Sequence, residues 1–202
     1  MASETQRVES FSDGVFAIAI TLLVLELKVP PAGNSQLSTL LIRQWPSYVA
    51  FLASFAFIGI MWINHHRLFT HIRRSDHVLL VLNLLLLLGV ITVPFPTAVL
   101  AENLGQPGER TATLLYSGTY VVIAIAFNVL WRYATSRNRR LLGPDVDATA
   151  VRQIGLQYSF GPLFYLVCFA LAWVSVPASL VLNVVLACFF ALPPAYLRRP
   201  SA

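Results

Sequence analysis

The sequence predicts an all-helical integral membrane protein with six transmembrane helices and no separate soluble domain. Hydrophobic residues make up 57% of its 202 residues and charged residues 11%, and mean hydropathy is +0.70, a balance foreign to water-soluble domains of this length. Apolar runs of about 20 residues, enough to cross about 30 Å of hydrocarbon, recur along the whole chain. The positive residues gather in alternate connections between those runs, as orientation in a bilayer requires.

The first span is expected over residues 11–29, stopped by Pro30-Pro31-Ala32-Gly33, and the second over 45–69. The third, 77–100, is a nearly unbroken Leu/Val run up to Val93-Pro94-Phe95-Pro96. Proline removes a backbone donor, so a kink within one span is expected there. The fourth covers 112–133 and gives way to the basic run Arg137-Asn138-Arg139-Arg140, after which Leu141-Leu142-Gly143-Pro144 opens a loop. The fifth covers 154–174, and Pro177 opens a sixth, 177–196, followed by Arg198 and Arg199. Residues 1–202 thus form a single six-helix domain.

With the N-terminus inside, eleven of the 14 Lys and Arg residues fall on the inner side, and Lys28, Arg43 and Arg110 fall outside. This positive-inside bias predicts a multi-pass protein of the cell membrane with both termini cytoplasmic. The same distribution explains the pI of about 9.6 without nucleic acid, because the arginines flank apolar spans instead of forming one soluble face. The segment before the first span holds Glu4 and Glu9 beside Arg7, which argues against a cleaved signal. Cys168 and Cys188 lie within spans five and six and read as small packing residues. No phosphate loop, catalytic triad or CxxC is present, so neither an enzyme nor a bound cofactor or metal is expected.

Charge at the start of the first span needs a reason. An ionisable group in a membrane helix costs about 2.5–3.5 kcal/mol even on the lenient insertion scale, so it usually has a partner or a function. Arg7-x-x-x-Phe11-Ser12-Asp13, followed by Gly-Val-Phe-Ala-Ile-Ala-Ile-Thr-Leu-Leu-Val-Leu, resembles the signature of the transmembrane protein 175 potassium-channel family in its bacterial single-repeat form. A second point of similarity is Trp62-x-Asn64-His65-His66-x-x-x-Thr70 at the end of span two.

The resemblance implies a potassium-permeable cation channel that lacks the Thr-Val-Gly-Tyr-Gly filter. It also implies a homotetramer in the lipid bilayer, with the first helix of each chain lining a central pore that conducts K+ passively. The family's constriction, five positions after the signature aspartate, corresponds to Ile18, with Leu22 and Leu25 one and two turns further on. Thr21 corresponds to a threonine associated with selectivity. At about 100° per residue, Ile18, Leu22 and Leu25 fall within about 60° of one another, and Asp13 lies about 140° from Ile18. Such an apolar ring closes a pore by excluding water. On residue type alone, Thr21 would bond back to the carbonyl of residue i−4. Glu26 is either an acid at the outer mouth or a solvated interfacial charge beside Lys28.

Arg7, Phe11, Ser12 and Asp13 are assigned to anchoring the pore helix, with Trp62, Asn64, His65 and His66 of span two as their expected partners. The rival classes are a metal-binding membrane protein built on His65, His66 and His71, and a secondary transporter with a midplane site. The histidine spacings do not put two ligands on one helical face, and no carboxylate pair completes a metal site. Pro94-Pro96 and Gly161-Pro162 are the only hints of broken transporter helices, and Asn83, Asn128 and Asn183 read as amides that hold helices together. His65, His66, His71 and His77 leave pH modulation open.

Overall fold

The computed structural model describes residues 4–29, 37–136, 141–144 and 146–191 of the chain. The Pro30–Gly33 stop, the basic run 137–140, and Tyr196, Arg198 and Arg199 lie outside the described residues. Eight α-helices are described: α1 Glu4–Leu22, α2 Leu37–Arg43, α3 Trp45–His71, α4 His77–Thr92, α5 Pro94–Asn103, α6 Glu109–Thr135, α7 Ala148–Leu171 and α8 Val176–Ala191. Among the described residues, five segments are long and apolar enough to cross a membrane: Thr5–Glu26, Trp45–His71, His77–Asn103, Glu109–Thr135 and Ala148–Leu171. The sixth, α8, is apolar but spans 16 described residues.

Several boundaries differ from the sequence reading. Helix α1 begins seven residues earlier than expected, because nothing in Glu4–Ser10 breaks it and Ser10 Oγ closes on Gln6 O at 2.9 Å. Its C-terminal end tightens into a 3₁₀ turn, Leu23–Glu26. Helix α2 fills part of what the sequence reading left as a connection; Leu37, Leu41 and Ile42 repeat at helical spacing, and all three are exposed. Pro46 at the first turn of α3 then starts the second span where proline costs nothing. At the other side, α7 begins at Ala148, six residues before the expected span, because Asp147 Oδ1 accepts from Thr149 N at 2.9 Å and caps it.

At the position of the expected kink the helix is interrupted between α4 and α5. Val93 separates them, Pro94 opens α5, and Thr97 N still reaches Val93 O at 3.2 Å, so the chain continues as one span. Helix α7 instead runs unbroken through Pro162.

Helix α6 packs most extensively on α7 and also meets α4, α5 and α8, while α1 lies against α3 and α4. Lipid offers little hydrophobic drive for helix association, so packing and interhelical hydrogen bonds decide which faces meet. Polar contacts join helices in the interior. Ser54 Oγ on α3 bonds Thr97 on α5 at 2.7 Å and Tyr116 on α6 at 3.0 Å. Asn183 Nδ2 on α8 donates to Ser117 Oγ on α6 at 3.0 Å. Asn128 Nδ2 on α6 donates to Tyr158 O on α7 at 2.8 Å. On the side of the first helix's N-terminus, the turn between α3 and α4 pairs with the segment after α6: Gly143 N donates to His71 O, and Arg73 N and Arg74 N donate to Leu141 O.

Candidate pore helix

Helix α1 has two unlike faces. Ser12, Phe16, Ala19 and Leu23 recur at three- and four-residue spacing and are buried against the rest of the chain. Ile18, Leu22 and Leu25 lie on the other side, 52%, 36% and 71% exposed. The 3₁₀ turn sharpens this stripe. With about 120° per residue and side chains at i and i+3 eclipsed, Leu25 comes to stand over Leu22, instead of about 60° away as an α-helix would put it. Thr21, also exposed, donates from Oγ1 to Ile18 O at 2.9 Å, a bond to residue i−3 where the sequence suggested i−4.

The buried face is held by a chain of hydrogen bonds across three helices. Ser12 Oγ donates to Val8 O at 2.8 Å and accepts from Asn83 Nδ2 of α4 at 3.0 Å. Asn83 Oδ1 then lies 2.9 Å from His65 Nε2 of α3, so the donor in that contact is a protonated Nε2. The His65 ring is fixed between Phe16 of α1, at 5.4 Å between centroids, and Phe69, stacked at 4.5 Å. Beside this chain, Trp62 Nε1 donates to Asp13 Oδ1 at 2.8 Å, and the exposed His66 stacks on Trp62 at 6.2 Å. The carboxylate of Asp13 is therefore tied to its own chain although the residue is exposed.

Two residues depart from the sequence reading. Arg7 lies with Phe11 in a groove along Ser75 and the α4 residues Leu80, Asn83 and Leu84, and no bond to α3 is found for it among the described residues. Helix α4, which the sequence reading had not linked to the signature, is its neighbour. Asn64 is turned away from α1, since one residue before His65 means about 100° around α3, and it faces α6 and α7. Asn83 is the member that sequence reasoning missed; it had been read as a generic helix-holding amide.

At the opposite end of α1, Lys28 Nζ forms an ion pair with Glu102 of α5, the sole one among the described residues, and Gln44 Nε2 donates to Lys28 O at 2.8 Å. The bond from Glu102, its charge and that of nearby Glu26 raise the lysine's proton affinity above the ordinary value. Glu26 itself is half-buried in the 3₁₀ turn. Among the described residues no three His, Cys, Asp or Glu side chains converge as metal ligands would.

Comparison with known proteins matches this geometry to one family. The family described as endosomal/lysosomal potassium channel TMEM175 matches residues 7–94, which hold most of α1 and all of α2, α3 and α4. A protein of Chamaesiphon minutus named a potassium channel is 52% identical over 193 residues, covering 94% of this chain and 95% of its own. A crystal structure of a lysosomal potassium-selective channel TMEM175 homologue from Chamaesiphon minutus superposes with a TM-score of 0.83 at 49% identity, covering 93% of this chain and 96% of that one. The human endosomal/lysosomal proton channel TMEM175 is 31% identical over 151 residues, covering 70% of this chain and 30% of its own. These relatives are named as channels and not as enzymes. At 52% identity to a relative that it covers over 95% of that protein's length, and with the family matching residues 7–94, the chain belongs to the TMEM175 family.

Proposed function

We propose that this protein is a potassium-permeable channel in which four copies surround one pore lined by α1. The observation that carries the reading is the apolar stripe Ile18, Leu22 and Leu25, left exposed by a helix whose other face is bonded into its own subunit. Four such stripes around an axis make a hydrophobic constriction that stays dry and closed at its narrowest and passes ions when it widens. Ser12 and Asp13, through Asn83, His65 and Trp62, hold the helix, with Arg7 and Phe11 alongside; permeation falls to the apolar residues. Thr21 is the selectivity-associated position, its hydroxyl free to turn from Ile18 O toward an ion. Glu26 is the outer-mouth acid. The names of the Chamaesiphon protein and its relatives support potassium as the cargo, moved passively and without a cofactor. The charge bias supports a cell-membrane protein with cytoplasmic termini.

Proton passage through the same constriction is a second reading, favoured by the name of the human relative. Both are tested in liposomes containing the purified protein, with potassium and proton fluxes recorded for the wild type and Ile18→Asn. Wetting the constriction is expected to raise basal potassium flux and weaken discrimination against sodium. Identical fluxes in the two proteins would remove Ile18 from the pore; proton flux without potassium flux would favour the second reading. No flux of either ion would return weight to a transporter.

A further inference from the structure

Asn64 is turned from the pore helix into a cavity of about 50 Å³ bounded by α3, α6, α7 and α8, with Met61, Tyr120, Phe127, Tyr158 and Phe190 among its walls. The residue is 5% exposed, and its Oδ1 is fully buried with no hydrogen-bond partner among the described residues. Leaving such an oxygen unpaired and away from water is costly. The cavity's size limits what can pair with it. A water needs about 10–15 Å³ of such space, so a few waters or one small organic molecule fit. Its chemistry limits the choice further. The walls are predominantly aromatic and aliphatic and carry no charged side chain, which disfavours an ion. A carboxamide offers an acceptor and a donor, and a hydroxyl group answers either one.

We propose that this cavity, separate from the central pore, binds small neutral hydroxyl compounds at the Asn64 carboxamide: water, or a short aliphatic alcohol that displaces it with its hydroxyl on Asn64 and its carbons on the aromatic walls. This site does not depend on where the pore runs. The test uses the purified full-length protein titrated with ethanol through butanol while Tm is followed, beside Asn64→Leu, which fills the space and removes the carboxamide. Ala124→Leu, which narrows the same cavity while leaving the carboxamide in place, serves if the first variant does not fold. A density map that orders solvent completes it.

A saturable upward shift of Tm in the wild type, superimposed on the general effect of alcohols and lost in the variant, establishes an alcohol site. Ordered solvent density within hydrogen-bond distance of the Asn64 amide, with no saturable shift, identifies water as the occupant. A dry cavity, together with equal alcohol responses in the wild type and the variant, overturns the proposal.

Discussion

Leu25 and Asp13 illustrate how far a single residue's role depends on its angle about the helix. The charged Asp13 spends its carboxylate on Trp62 Nε1 at 2.8 Å, and the plain Leu25 is 71% exposed. Deleting the carboxylate leaves the indole N–H without its acceptor and frees one turn of α1, so Asp13→Ala is expected to give little assembled protein on size-exclusion chromatography. Normal yield and normal flux in that variant would show that the bond does not anchor the helix. At the other end, Lys28 and Glu102 neutralise one another beside Glu26. If Glu26 faces the pore mouth, Lys28→Gln raises cation conductance at low salt and Glu102→Gln lowers it, because each leaves one charge uncompensated. Changes of the same sign would assign the pair to stability alone. Since its bond raises the lysine's proton affinity, the pair is intact at neutral pH and loses the lysine's charge only as pH rises through that raised value.

Among the helices, α1 is fastened to both α3 and α4, and Asn83 is the member that joins all three. Asn83→Leu strands the His65 Nε2–H and removes the donor that Ser12 Oγ accepts, and is expected to lower stability by about 1–3 kcal/mol, read as a fall in Tm. An unchanged Tm would mean that solvent or a neighbouring subunit satisfies both groups. The approach of α4 to α6 is equally restrictive. A Cβ at Gly89 would come within 2.9 Å of Ile123 Cγ1, so Gly89→Val is expected to cost about 1–3 kcal/mol through overpacking, measurable in the same assay. Neither constraint is legible from sequence, since Ser12 and Asn83 lie 71 positions apart and a glycine's neighbour depends on the crossing of two helices. Span existence and the interruption at Pro94 are legible, because length, hydropathy and a missing N–H are local properties. The boundaries of α1 and α7 were set short because polar end turns carry no hydropathy signal, although Asp147 marks the start of α7 by an ordinary cap.

At the scale of the whole molecule, an exposed apolar stripe on a membrane helix is satisfied by lipid or by a matching protein surface, and in the proposed tetramer fourfold symmetry lets identical stripes meet around an axis. Chemical cross-linking in membranes is expected to stop at four chains of 22.4 kDa; a ladder ending at the monomer would exclude a shared pore. By itself the sequence determined the all-helical membrane class, the alternation of apolar runs and basic connections, and the signature that places α1 at the centre of interest. These follow from composition, order and local periodicity, which the chain carries before it folds. The tertiary structure decided which residues answer the signature. It put Asn83 of α4 between Ser12 and His65, turned Asn64 toward a cavity between α3, α6, α7 and α8, and stacked Leu25 over Leu22 through a 3₁₀ turn. Those outcomes depend on the angle at which each side chain leaves its helix and on which helix lies opposite, and both are set only when the helices pack.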